Sequence, residues 1–281
     1  MPTLALLWYN RSHPGNQRTD AETLLWTYVL TGTVGTTIVV IIQWTISYGA
    51  AYLLFQSETD GFFEEFGKQE REVAQMDPDA LAARSVMARQ PRYSVFLAVF
   101  AFVVAGVVEE SLKYYALQYA RHYSRIAHPK NLFTLAMAAG LGFSTIEGIG
   151  FVHAAVQENQ PLGHIVQTVA ERVALGPVTH ALTAGLISLN VIRRDLRGGR
   201  LRFGQVIGNC VLFRGGFDFI VMGVSALEGN VGWIHPRGIT LLFVLTVAGG
   251  FIGAFTATVR RRFGRQTYFE VSVGSLAPMP L

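Results

Sequence analysis

Thr23 to Ser57 reads TLLWTYVLTGTVGTTIVVIIQWTISYGAAYLLFQS, 35 consecutive residues without a charged side chain. A helix rising about 1.5 Å per residue needs roughly 20 apolar residues to cross a hydrocarbon core of about 30 Å, so this run crosses with residues to spare. Composition agrees: 51% of the 281 residues are hydrophobic and 15% charged, against roughly 25% charged in a soluble domain. Mean hydropathy is +0.33. These values exclude a nucleic-acid-binding domain, a disulfide-stapled secreted module and a disordered chain. The lone cysteine, Cys210, lies in an apolar stretch and admits neither an intramolecular disulfide nor a zinc-thiolate site.

Five more hydrophobic runs follow. Tyr93 to about Ala120 carries Glu109, Glu110 and Lys113; Asn131 to Gln157 carries Glu147 and His153; Val173 to Ile192 carries His180. Phe203 to Leu227 carries Arg214 and Asp218, and Gly238 to Val259 is free of charge. The expected fold is therefore all-α, a polytopic membrane bundle of about six transmembrane helices within residues 23–260. Residues 1–22 form a retained N-terminal segment, since Leu4 to Trp8 is too short for a signal-peptide core.

Arginine and lysine fall on one side. Arg121, Arg125 and Lys130 separate spans two and three, Arg193 to Arg202 separates four and five, and Arg260, Arg261, Arg262 and Arg265 follow six. The positive-inside rule then predicts both termini cytoplasmic, with an unstructured basic tail at 261–281. Residues 58–92 face the other way, and Phe62, Phe63 and Phe66 among acids suit either an interfacial helix or a solvated acidic loop. The sequon Asn10-Arg11-Ser12 falls on the cytoplasmic side, where it goes unused.

A charge at mid-bilayer costs at least about 2.5 to 3.5 kcal/mol, so buried ionisable residues mark a site. Counting about 1.5 Å per residue from the cytoplasmic ends puts Glu109, Glu110, Glu147, His180, Arg214 and Asp218 in one slab at depths of roughly 15 to 24 Å. Arg172 falls near the outer edge by the same count. Four acids against Lys113 and Arg214 leave two carboxylates unmatched, which suits acid and base work. The plainer alternatives are helix-internal ion pairs, with Lys113 three and four residues after Glu110 and Glu109 and Arg214 four before Asp218, and a hydrogen-bonded core role for His180. Gly140, Gly142, Gly148 and Gly150 read as close helix packing.

These motifs resemble the PrsW-type intramembrane proteases, relatives of the CAAX prenyl endopeptidases. Val108-Glu109-Glu110-Ser111-Leu112-Lys113 resembles the EExxK helix, Gly140-Leu141-Gly142-Phe143 with Glu147 the GxGFxxxE motif, and Arg172 with Pro177 and His180 the third block. The fourth block, a His four residues before an Asp, keeps Asp218 but has Arg214 in place of the His. The likeness covers about Val95 to Phe219.

The resemblance implies an intramembrane endopeptidase acting on single-pass or lipid-anchored membrane proteins within the bilayer, with no nucleic-acid partner. It implies Glu110 or Glu109 as base, Glu147 and His180 orienting water or a metal, Lys113 tuning the pair, and Arg172, Arg214 and Asp218 in support. A divalent metal such as zinc, held by Glu110, Glu147 and His180, is the cofactor it leaves open. Arginine has no acceptor lone pair and cannot ligate a metal, so Arg214 favours a metal-free glutamate protease or an inactive scaffold of the kind found in gamma-secretase. A proton- or cation-coupled transporter is a further alternative, disfavoured by the lack of internal repeats.

Overall fold

The computed structural model describes residues 2–12, 19–124, 128–157, 162–236 and 238–274, and among these no strand occurs. The elements are α1 (Pro2–Arg11), α2 (Ala21–Leu30), α3 (Thr36–Phe55), α4 (Thr59–Gly67), α5 (Glu70–Ala74), α6 (Pro78–Ala88) and α7 (Pro91–Val99). They continue with α8 (Val108–Ser124), α9 (Pro129–Gln157), α10 (Leu162–Ala170), α11 (Gly176–Asp195), α12 (Phe203–Leu227) and α13 (Ile239–Gly274). Three π-helical stretches, Thr31–Gly35, Phe100–Val107 and Glu171–Leu175, join α2 to α3, α7 to α8 and α10 to α11. Six of the resulting helical stretches are long and apolar enough to cross a membrane. The protein is an integral, multi-pass, all-α membrane bundle.

Helix α9 stands at the centre because its small residues let neighbours approach. A Cβ on Gly142 would lie 2.1 Å from the Tyr28 carbonyl oxygen of α2, and one on Gly140 would lie 2.7 Å from that of His180 on α11. Gly150 has open space around it, so close packing does not explain that glycine. The core between α9, α11 and α12 is built of residues such as Leu135, Ala139, Ile187, Val191 and Val206. Ile38, Ile41, Trp44, Leu53, Leu242 and Phe243 point outward, where lipid tails are as apolar as the side chains themselves.

Residues 58–92 are built of the helices α4, α5 and α6 rather than a loop, and the apolar face of α4 turns to protein. Phe62 and Phe66 are buried, packing on Phe55, Phe96 and Phe100, while Phe63 stacks on Tyr48. The acids occupy the other face of α4, so the amphipathic pattern is satisfied by protein. Arg84 of α6 is buried and bonds the Glu65 carboxylate at 2.7 Å and the Val231 carbonyl. Gly232 has φ +80, and a Cβ there would lie 2.1 Å from the Phe66 carbonyl oxygen. That approach and the left-handed backbone both require glycine.

Two boundaries differ from the sequence expectation. The fourth span starts at Leu162 because a π turn carries the helix through Glu171 and Arg172. The sixth helix runs on to Gly274, through residues expected to be unstructured. Asn10 of the sequon is buried, its amide donating to the Thr19 carbonyl at 2.7 Å and its oxygen accepting from the Thr19 N–H at 3.0 Å. At the basic face, Arg121 pairs with Asp195, and Arg262 donates to Asn190 at 3.2 Å. Arg125 and residues 275–281 lie outside the described residues.

Candidate active site

Consecutive residues of an α-helix point about 100° apart, and Glu109 and Glu110 face different partners. The eight-residue π stretch that ends at Val107 sets which one goes where. Glu110 turns toward α11: its Oε1 lies 2.5 Å from Lys113 Nζ, and that ammonium donates to Thr183 Oγ1 at 2.8 Å. Glu110 and Lys113 are fully enclosed, at 0% and 1% exposure.

Glu109 turns toward α12 and α9. Its Oε2 lies 3.4 Å from Arg214 Nε, and its Oε1 accepts from Gln43 Nε2 at 3.3 Å. Arg214 Nε is also 3.3 Å from Asp218 Oδ2, and Nη2 donates to Glu147 Oε1 at 3.5 Å. Glu147 Oε2 in turn lies 3.1 Å from His180 Nε2 and 3.9 Å from Arg172 Nη1. Arg172 lies over the Phe151 ring at 3.5 Å, which steers its guanidinium inward. Phe143 divides the two groups, with Lys113 over its ring at 6.0 Å and the His180 ring centroid at 5.1 Å.

The structure thus gathers Glu109, Glu147, His180, Arg172, Arg214 and Asp218, and sets Glu110 and Lys113 apart as a closed pair. The expected pairing within Arg214 and Asp218 is present, but Arg214 serves three carboxylates rather than one. With Glu110 matched by Lys113 and Arg172 brought in, one carboxylate remains without a cation instead of two. Nothing in the sequence marked Gln43, a lone amide in an apolar run, which also donates to the Val104 carbonyl at 3.1 Å.

One ligand atom each from Glu109, Glu147 and His180 lie within 4.8 Å of one another. The expected triad contained Glu110, which the Lys113 pair withdraws from it. His180 Nδ1 is buried without a partner among the described residues, whereas His180 Nε2, Glu109 Oε2, Asp218 Oδ2 and Arg214 Nε are held only by the ion-pair contacts above, at 3.1 to 3.4 Å and outside hydrogen-bond geometry. Buried polar atoms whose contacts fall short of hydrogen-bond geometry recover little of their desolvation cost. Two carboxylates and an imidazole form a three-ligand set of the kind that leaves zinc an open position. The residues fit a metal ion, with Asp218 offsetting the Arg214 charge beside it.

The sequence model of one protein family, described as PrsW family intramembrane metalloprotease, matches residues 78–249. No curated protein and no solved structure matches the chain.

Proposed function

The chain belongs to the PrsW family of intramembrane metalloproteases, and on that premise we propose that it hydrolyses peptide bonds of membrane-anchored proteins at the cluster around Arg214. The observation that carries the reading is the buried ion-pair cluster of Glu109, Glu147, His180, Arg214 and Asp218, drawn from four spans with facing atoms 3.1 to 3.5 Å apart. Glu109, Glu147 and His180 would hold a divalent metal, for which zinc is the first choice. When bound, such an ion supplies Lewis acidity to a carbonyl oxygen or a water.

Asp218, whose Oδ2 faces Arg214 Nε at 3.3 Å, takes the proton of the attacking water and returns it to the leaving nitrogen. The base role expected for the glutamate pair passes to Asp218, because Glu110 is bound to Lys113 and Glu109 belongs to the ligand set. Arg214 donates to the oxygen that becomes negative as water adds. Arg172 holds Glu147 in place from the other side. Gln43 fixes the Glu109 carboxylate, so the first span contributes to the site.

The contact of Arg214 with three carboxylates also favours a second reading, an inactive scaffold in which the guanidinium closes the site. Terminal-peptide proteomics on cells expressing wild type, Glu109→Gln, Asp218→Asn and Arg214→His at matched abundance separates the two. Membrane-protein fragments present with wild type and absent with Glu109→Gln and Asp218→Asn support the protease. Identical profiles for all four overturn it in favour of the scaffold.

A further inference from the structure

A second group of metal-ligand side chains lies at the end of the bundle opposite the arginine-rich loops, and the protease reading leaves it unused. Glu70 on α5, His164 on α10 and His235 in the segment between α12 and α13 each place one ligand atom within 4.8 Å of the others. Glu70 Oε1 is 2.9 Å from His235 Nδ1, and Glu70 Oε2 is 3.2 Å from His164 Nδ1. The two imidazoles meet edge to face, centroids 5.1 Å apart.

The surroundings are arranged around His235. Its Nε2 lies 3.3 Å from Glu171 Oε2, and Gln167 Nε2 donates to the other Glu171 oxygen at 2.9 Å. The Glu171 carboxylate on Nε2 would hold a proton there when an ion takes the Nδ1 side, which otherwise faces Glu70 Oε1 at 2.9 Å. This is the carboxylate–histidine relay found behind metal-ligating imidazoles. The backbone N–H of His235 donates to Glu70 Oε1 at 2.9 Å, which orients that carboxylate too.

We propose that Glu70, His164 and His235 form a zinc site that clamps the segment of residues 58–92 to the fourth span and to the loop before the sixth, with Glu171 orienting His235. Two imidazoles and one carboxylate are a zinc donor set, and they leave a fourth position for water. A divalent ion offsets the two negative charges of Glu70 and Glu171. A tetrahedral ion with ligands at about 2.1 Å separates ligand atoms by about 3.4 Å, which rotation of three partly exposed side chains achieves. All three are half-buried, so an ion can reach them from solvent. The joined elements are 94 and 71 residues apart in sequence, so the ion closes long loops.

The test is zinc binding by the full chain in detergent micelles, stripped with chelator, reloaded with Zn2+ and desalted, with metal counted by mass spectrometry. His180→Ala, which removes the imidazole of the membrane site, serves as background so that the two sites are read apart. The His180→Ala chain retains a single equivalent of zinc, and His180→Ala with His164→Ala retains none. Added Zn2+ raises the Tm of the first and not of the second. Glu171→Gln in the same background keeps the fold and weakens zinc about 10- to 100-fold by chelator competition, the effect of losing an outer partner. A folded His180→Ala chain that retains no zinc overturns the proposal, as does zinc retained at full affinity after His164→Ala and His235→Ala together. Either result leaves the protease reading standing, because cleavage is not the readout.

Discussion

Lys113 Nζ sits 2.5 Å from Glu110 Oε1 inside a closed pocket completed by Thr183, apart from the cluster to which the preceding residue, Glu109, belongs. Glu110→Gln leaves the ammonium buried without its partner, a loss of roughly 3 to 5 kcal/mol for a buried pair. Glu109→Gln keeps an acceptor oxygen for one of Arg214 and Gln43, and Arg214 retains Glu147 and Asp218, so the change costs less stability. Thermal unfolding in micelles therefore ranks Glu110→Gln well below Glu109→Gln, whereas cleavage ranks the two the other way among the protein that remains folded.

Arg214→His offers a fourth ligand beside Glu109, Glu147 and His180 and removes the cation that competes with a metal. The expected outcome is tighter zinc retention, by about 10-fold or more, at the membrane site of a His164→Ala chain. Equal retention with and without the Arg214→His change in that chain would show that the guanidinium does not oppose the ion.

Gly142→Ala drives a methyl to within 2.1 Å of the Tyr28 backbone and must part α2 from α9. Overpacking of this kind costs about 1 to 3 kcal/mol, and here the contact is backbone and cannot rotate away. Gly150→Ala meets nothing within 4 Å and is the control. Unfolding curves of the two variants separate the packing role of these glycines from any helix-propensity gain, which both share.

With metal removed by chelator, His235 carries a proton between two carboxylates. Burial alone lowers its affinity for that proton, but the bonds to Glu171 and Glu70 outweigh burial and push it up to about 9 from an ordinary 6.5. Burial likewise raises Glu70, and the His235 ring and backbone N–H overcome it and hold the carboxyl at about 2. A raised histidine stabilises below its unfolded value and loses that contribution as pH climbs through about 9. Glu70, shifted downward, stabilises above its ordinary 4.5 and loses this as pH falls through about 2. The Tm of stripped protein thus declines on the alkaline side, and His235→Asn flattens that decline. Zinc-loaded protein shows less of it, since the metal takes the neutral ring.

Depth was legible in the chain and azimuth was not. The hydrophobic runs located the six spans, and counting along them put Glu109, Glu110, Glu147, His180, Arg214 and Asp218 at one level, where the structure brings all but Glu110 together. Which of two adjacent glutamates faces α9 depends on the π turns before them, and a π turn leaves no hydrophobic period to read. The same irregularity carries Arg172 from an apparent outer edge to within 3.9 Å of Glu147. Nothing local in the sequence of Glu70, His164 and His235 marks them as neighbours.

The three π stretches make the protein sensitive to a kind of change that substitution does not test. Losing one residue from Phe100–Val107 would turn everything after it by about 100° relative to the other spans. Glu109 would leave the cluster and Glu110 would swing toward it with its lysine. Across homologous chains, this bundle should accept varied side chains in those stretches while holding their length constant, so that gaps in an alignment there would mark chains whose chemistry has changed.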